Sequence, residues 1–120
     1  MTGVGYLERI SRRGYELTRR LLATQGGELP ELIFFTDDFV ARGGLCALLE
    51  SGLKVPGDVN VITFANRGFS PFFPTKLTKL EADPFDLARK IASEVLRRIA
   101  GLPPLEVSTV VQYLPGASLR

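Results

Sequence analysis

Two adjacent carboxylates, Asp37 and Asp38, follow the apolar run Leu32–Phe35 and precede a stretch with helical periodicity. An ionised carboxylate accepts hydrogen bonds through two oxygens, which suits a pair of vicinal sugar hydroxyls or the edge of a purine. The place where a parallel strand gives way to a helix is also the edge at which open α/β sheets bind ligands. Asp37 and Asp38 are therefore the candidate ligand-binding residues, with Phe39 beside them and Asn66 at the end of a second apolar run. A plainer role competes with this one, because aspartate in such a place also caps helices. Other chemistry is scarce. The chain has no histidine, which excludes histidine-based triads and histidine metal sites. Its one cysteine, Cys46, lies between Leu45 and Ala47 in a helical stretch and reads as a small core residue. No phosphate-binding glycine motif and no nucleophile–base pair is visible, so neither a cofactor, a metal nor an enzymatic activity is expected.

The elements that position the carboxylates can be read from periodicity and turn signals. Leu7, Ile10, Gly14, Leu17 and Leu21 recur at steps of three and four, predicting a helix over about Tyr6–Ala23. Gly14 on that stripe implies close approach to a neighbour. Gln25–Gly27 and Pro30 end the helix, and Leu32–Phe35 reads as a strand buried on both faces of a parallel sheet. Asp37 or Asp38 caps a helix running to about Leu49, in which Gly43 and Gly44 each cost about 1 kcal/mol relative to alanine. Such a cost is offset where packing on the sheet is tight. Gly52 stops this helix, and Pro56-Gly57 turns the chain into a strand over Val59–Phe64. The result is a right-handed βαβ unit. A loop with Phe69, Phe72 and Phe73 follows, then an extended piece over Leu77–Leu80. Asp83 with Pro84 opens a helix over Pro84–Ala100. That helix carries two apolar ridges, Leu87, Ile91, Val95 and Ile99 beside Ala88, Ala92, Leu96 and Ala100, and so should pack on more than one side. A β-rich run over Val107–Tyr113 and a polar tail complete the chain.

The segment Gly52, Val55, Pro56, Asp58, Val59, Val61 and Phe64, taken with Asp37, Asp38, Ala41 and Gly43, resembles the effector-binding domain of the LacI/GalR family of bacterial transcription regulators. The family pattern is an Asn/Asp-Asp pair after an aliphatic strand, followed by G-x-x-V-P-x-D-V-x-V-x-G-F/Y-D. The resemblance covers about Ser11–Ser118 and implies an α/β fold: a mostly parallel sheet with helices on both faces, one lobe of a periplasmic-binding-protein-like domain. It implies residues 1–120 as the C-terminal part of that domain, with the helix-turn-helix headpiece and first lobe absent. It also carries the effector-contacting aspartate to Asp38. Departures stand at Thr63-Phe64-Ala65 for Gly-Phe/Tyr-Asp, at Lys79 for the second threonine of a Thr-Thr pair, at Ala82 for a cleft glutamine, and at Gly116-Ala117-Ser118 for Arg-Gly-Ser. Losing the carboxylate at 65 and the amide at 82 removes polar groups from the expected cleft.

A formal charge of +2 on 120 residues argues neither for nucleic acid nor for an acidic membrane surface. The early arginines pair with Glu8 and Glu16 at helical spacing and read as a solvated face. No span for a membrane and no apolar core of a signal peptide is present, which gives a cytoplasmic expectation. The expected partners are a small-molecule effector, bound weakly or not at all by half a cleft, and a second copy of the chain docked through the helix Pro84–Ala100. DNA is expected only through a headpiece. A periplasmic-type sugar-binding fragment and a phospho-receiver are the alternatives. The second lacks its phosphoryl-accepting aspartate, since Ala65 stands at the neighbouring strand end.

Overall fold

A computed structural model describes residues 3–24, 26 and 28–120, with no side-chain account of Gly3 or Val4. Gln25 and Gly27 of the expected turn lie outside the described residues. Helix α1 (Gly3–Thr24) leads to β1 (Leu32–Phe35), α2 (Asp38–Glu50), β2 (Asn60–Asn66), β3 (Thr78–Ala82), α3 (Pro84–Ile99) and β4 (Val111–Leu114). The four strands form one sheet in the order β1-β2-β3-β4. The first two pairings are parallel and the last is antiparallel. The α/β class and the mostly parallel sheet are as the sequence implies.

Helix α2 covers one face of the sheet through Ala41, Leu45 and Leu48, which pack with Ile33, Val59, Val61 and Leu77 in the core. Its C-terminus is closed by glycine. Gly52, at φ 73°, is the left-handed residue, with Leu53 N donating to Leu48 O at 3.1 Å and Gly52 N to Leu49 O at 3.0 Å. Helix α1 lies on α2 in an outer layer. Two glycines set that spacing. A Cβ on Gly14 would stand 2.2 Å from Val40 O, and one on Gly43 would stand 1.7 Å from Ser11 O. Gly44 faces the sheet, where a Cβ would meet the Phe35 ring at 2.2 Å. The implied close approach at Gly14 is thus between two helices, and only Gly44 serves helix-on-sheet packing.

Several expectations are corrected. The α1 stripe is rotated: Gly14 and Thr18 are buried, whereas Leu7 and Leu17 are exposed. Small residues win this face because the helix axes approach too closely for leucine. The helix also begins earlier, at Gly3. Strand β1 is buried on one face only, through Ile33 and Phe35, while Leu32 and Phe34 remain exposed. Helices therefore do not flank both faces of the sheet among the described residues, because α3 packs on no strand. None of its residues is buried, so the expectation that it packs on more than one side does not hold within one chain. Cys46 is exposed on α2, not part of the core. In the aromatic loop Phe73 packs against the core, whereas Phe72 is 96% exposed.

Candidate functional site at the carboxyl edge of the sheet

The three parallel strands end at one edge, and Asp37, Asp38, Asn66, Arg67 and Asp83 stand there. Asp37 is the helix cap: its Oδ1 accepts from Phe39 N at 2.8 Å and from Val40 N at 3.0 Å. That settles which aspartate caps α2 and leaves Asp38 free for another role. Asp38 is 2% exposed, and its Oδ2 accepts from Asn66 N at 3.1 Å, tying the tip of β2 to the start of α2. Its Oδ1 is buried without a hydrogen-bond partner. An orphaned buried carboxylate oxygen costs free energy, so its retention calls for a reason. Of the four candidates, Asp38 and Asn66 are brought together at one point and Asp37 adjoins them. Phe39 is different. Its ring lies under the Arg42 guanidinium, 5.2 Å from the ring centroid, and lines a groove with Leu7, Glu8 and Ser11 between the two helices.

Next to this point the structure shows a charged cluster that sequence patterning did not single out. Arg67, directly after β2, donates from NH1 to Asp83 Oδ2 at 2.9 Å and sets its Nε 3.6 Å from Glu81 Oε1. Lys79 Nζ lies 3.1 Å from Glu81 Oε2. Asp83 also caps α3, accepting from Phe85 N at 3.0 Å and Asp86 N at 3.1 Å. Arg67, Glu81, Asp83, Asp86 and Gln112 line a polar groove of ≈ 270 Å³ at the end of β2 and β3. The missed signal was positional: Arg67 and Asp83 each follow the last residue of a parallel strand. Such an edge, with fixed carboxylates, a guanidinium and an amide, can hydrogen-bond hydroxyl-rich or heterocyclic ligands and holds no set of metal ligands among the described residues.

Residues 4–119 match the periplasmic binding protein-like domain family. The chain belongs to that family. Curated relatives are HTH-type transcriptional repressors. The HTH-type transcriptional repressor PurR of Haemophilus influenzae is 36% identical over 86 residues, which is 72% of this chain and 25% of the relative. The HTH-type repressor MelR of Bacillus subtilis is 34% identical over 90 residues, 75% of this chain and 26% of the relative. Among solved structures, a LacI family regulator from Bifidobacterium animalis superposes with a TM-score of 0.73 at 25% identity, over 91% of this chain and 40% of that one. CcpA of Lactococcus lactis shares the fold, with a TM-score of 0.77 at 22% identity over 92% of this chain and 40% of its own. The chain thus spans about a quarter of the length of the repressors it matches.

Within this family frame the departures gain a structural reading. Ala65, where the pattern has a carboxylate, is fully buried, and in-register pairing sets Glu81 of β3 opposite it. The edge therefore keeps an anionic side chain beside this position, supplied by the neighbouring strand and already engaged by Arg67 and Lys79. Ser118 is likewise recruited into the architecture: its Oγ accepts from Thr78 N at 2.8 Å and donates to Val61 O at 2.7 Å. The tail so bridges β2 and β3 below their paired region. No helix among the described residues is long and apolar enough to cross a membrane.

Proposed function

We propose that this chain is the effector-sensing and dimerisation portion of a LacI-type transcription regulator, working in the cytoplasm without catalysis. The observation that carries the reading is the carboxyl edge, where Asp38 ties α2 to Asn66 and Arg67 bridges to Asp83. The relatives lend support, being repressors with a shared domain. In this reading Asn66, Asp37 and the exposed side of Arg67 meet a sugar-like or purine-like effector. Asp38 holds the strand tips through Asn66 N, and its unpartnered Oδ1 is the acceptor it offers to the effector. Phe39 supports the same helix start from the α1 side. DNA contact would come through a headpiece, not through these residues.

One lobe of a cleft covers about half of a ligand, short of the roughly 70–90% that pocket-bound molecules bury. Affinity of the isolated chain for a monosaccharide or purine base should therefore be no better than about millimolar. Amide NMR titration with a panel of monosaccharides and purine bases tests this. Fast-exchange shifts confined to residues near Asp37, Asp38, Asn66 and Arg67 support the site. Shifts that map elsewhere, or none across the panel, would remove the sensing half of the reading.

A further inference from the structure

Arg67 and Lys79, the cations described at the carboxyl edge, are both engaged by the chain's own carboxylates. Arg67 Nη1 donates to Asp83 Oδ2 at 2.9 Å, and its Nε stands 3.6 Å from Glu81 Oε1. Lys79 Nζ holds the other oxygen of Glu81 at 3.1 Å. The side chains of Glu81 and Lys79 are only 12 and 19% exposed, so this pairing is built into the sheet. Two anions and two cations there leave no net charge.

Asp37 and Asp38 stand outside that balance. The partners described for both are uncharged backbone amides: Phe39 N and Val40 N for Asp37 Oδ1, and Asn66 N for Asp38 Oδ2. The N-terminus of α2 offsets about half a charge of the pair, and an excess of negative charge remains. The second oxygen of Asp38 decides what that excess is for. Asp38 is 2% exposed, yet its Oδ1 is buried with no hydrogen-bond partner. A group fitted to this edge must therefore bring donors and positive charge. A phosphate or carboxylate would bring like charge to Asp37 and Asp38, and to reach Arg67 it would have to compete with Asp83 and Glu81. A hydroxyl can donate to Asp38, but a charged donor makes a bond roughly twice as strong. Ala65 and Ala82, which have no polar side-chain atom, leave recognition here to the two aspartates and the Asn66 carboxamide.

We infer, on the effector reading proposed above, that the effector carries a protonated amino group on a hydroxylated ring. Its ammonium group is taken by Asp38, with Asp37 beside it. A neighbouring hydroxyl meets the carboxamide of Asn66, which offers both a donor and an acceptor. Phosphorylated and carboxylated rings are rejected by the same two aspartates.

Four ligands sharing one ring separate these terms: glucosamine, N-acetylglucosamine, glucose and glucose 6-phosphate. Amide NMR titration of the whole chain at about pH 6 keeps the amine protonated and ordinary carboxylates ionised. Glucosamine should shift Asp37, Asp38 and Asn66 with half-saturation about fivefold below that of glucose. N-acetylglucosamine, which keeps the substituent and loses the charge, should gain nothing over glucose. Glucose 6-phosphate should move none of the three. Asp38→Asn should abolish the glucosamine response, and the panel on the unaltered chain stands by itself should that variant not fold. Glucose or glucose 6-phosphate acting at these residues as strongly as glucosamine overturns the amine and leaves the effector site standing. Glucosamine shifts that survive in folded Asp38→Asn overturn it as well. Silence from all four ligands overturns both the amine and the effector site.

Discussion

Replacing Gly43 by alanine sets two effects of opposite sign against each other. Alanine is favoured over glycine in a helix interior by about 1 kcal/mol, so propensity alone makes Gly43→Ala stabilising. Packing says otherwise. The added methyl would stand 1.7 Å from Ser11 O, with Tyr15 N at 2.8 Å, and all of these are backbone atoms that no rotamer change can clear. Carbon–oxygen contacts are comfortable at about 3.3–3.6 Å, so α1 must withdraw by roughly 1.6–1.9 Å along this line. The withdrawal loosens the contacts at Gly14 and Thr18 and stretches the 3.0 Å bond from Ser11 Oγ to Phe39 O. Overpacking of this kind costs about 1–3 kcal/mol, and a rigid obstacle on both sides places it at the upper end. Net destabilisation of about 2 kcal/mol should lower the urea midpoint by on the order of 1 M. Gly5→Ala in α1 is the control, since a methyl there meets open space. It should be neutral or slightly stabilising. If Gly43→Ala unfolds at the same or a higher urea concentration than the parent, propensity outweighs packing and the close helix pair is not what the glycines serve.

Asp83→Ala should remove the α3 cap and the Arg67 partner together, costing about 1 kcal/mol locally. Faster amide exchange confined to the first turns of α3 is the expected signature, and uniform protection would count against it. Asp86 is held below the ordinary carboxylate range, first by its hydrogen bond to Lys90 and then by the charges of Lys90 and Arg89. A depressed folded value means the contribution is complete above the ordinary range and fades as pH falls through the folded one. Acidification from about pH 5 to about pH 2 should therefore fray α3, and Asp86→Asn should flatten that response in amide exchange. Finally, the 120-residue chain alone should give no sequence-specific, salt-sensitive gel shift with operator-like DNA, in keeping with its near-neutral charge.

The βαβ unit was legible because its signals are local. Turn residues at Gly52 and Pro56-Gly57 and continuous apolar runs fix strand, helix and strand without reference to the rest of the chain. What the runs could not tell was which side would be covered. Leu32 and Phe34 look like core residues in sequence, and they are surface because no helix among the described residues lies over them. Periodicity failed in α1 for a related reason. A stripe of leucines predicts a leucine-lined contact, but Gly14 and Gly43 bring the backbones so close that large side chains are displaced to either side. The two glycines lie 29 positions apart, and their pairing is a tertiary fact.

At the site, the same local logic found the acidic pair and the strand-end asparagine but could not divide the work between them. Sequence alone allowed either aspartate to cap α2. Geometry decides it, because an aspartate one residue earlier in the chain reaches the amides of Phe39 and Val40 while the next one points to β2. Once Asp37 has taken the capping role, a capping explanation no longer covers Asp38. A carboxylate with one oxygen on a strand-tip amide and the other buried without a partner is an unfavourable choice for stability alone. Asp38→Asn separates the two remaining roles. The amide oxygen can still accept from Asn66 N, so a purely structural aspartate predicts little loss of stability. An effector-linked aspartate predicts the same stability with the ligand-induced shifts at Asn66 and Arg67 gone. Urea unfolding and amide titration on one variant read both, and a large drop in stability with ligand shifts intact would refute the effector role of Asp38.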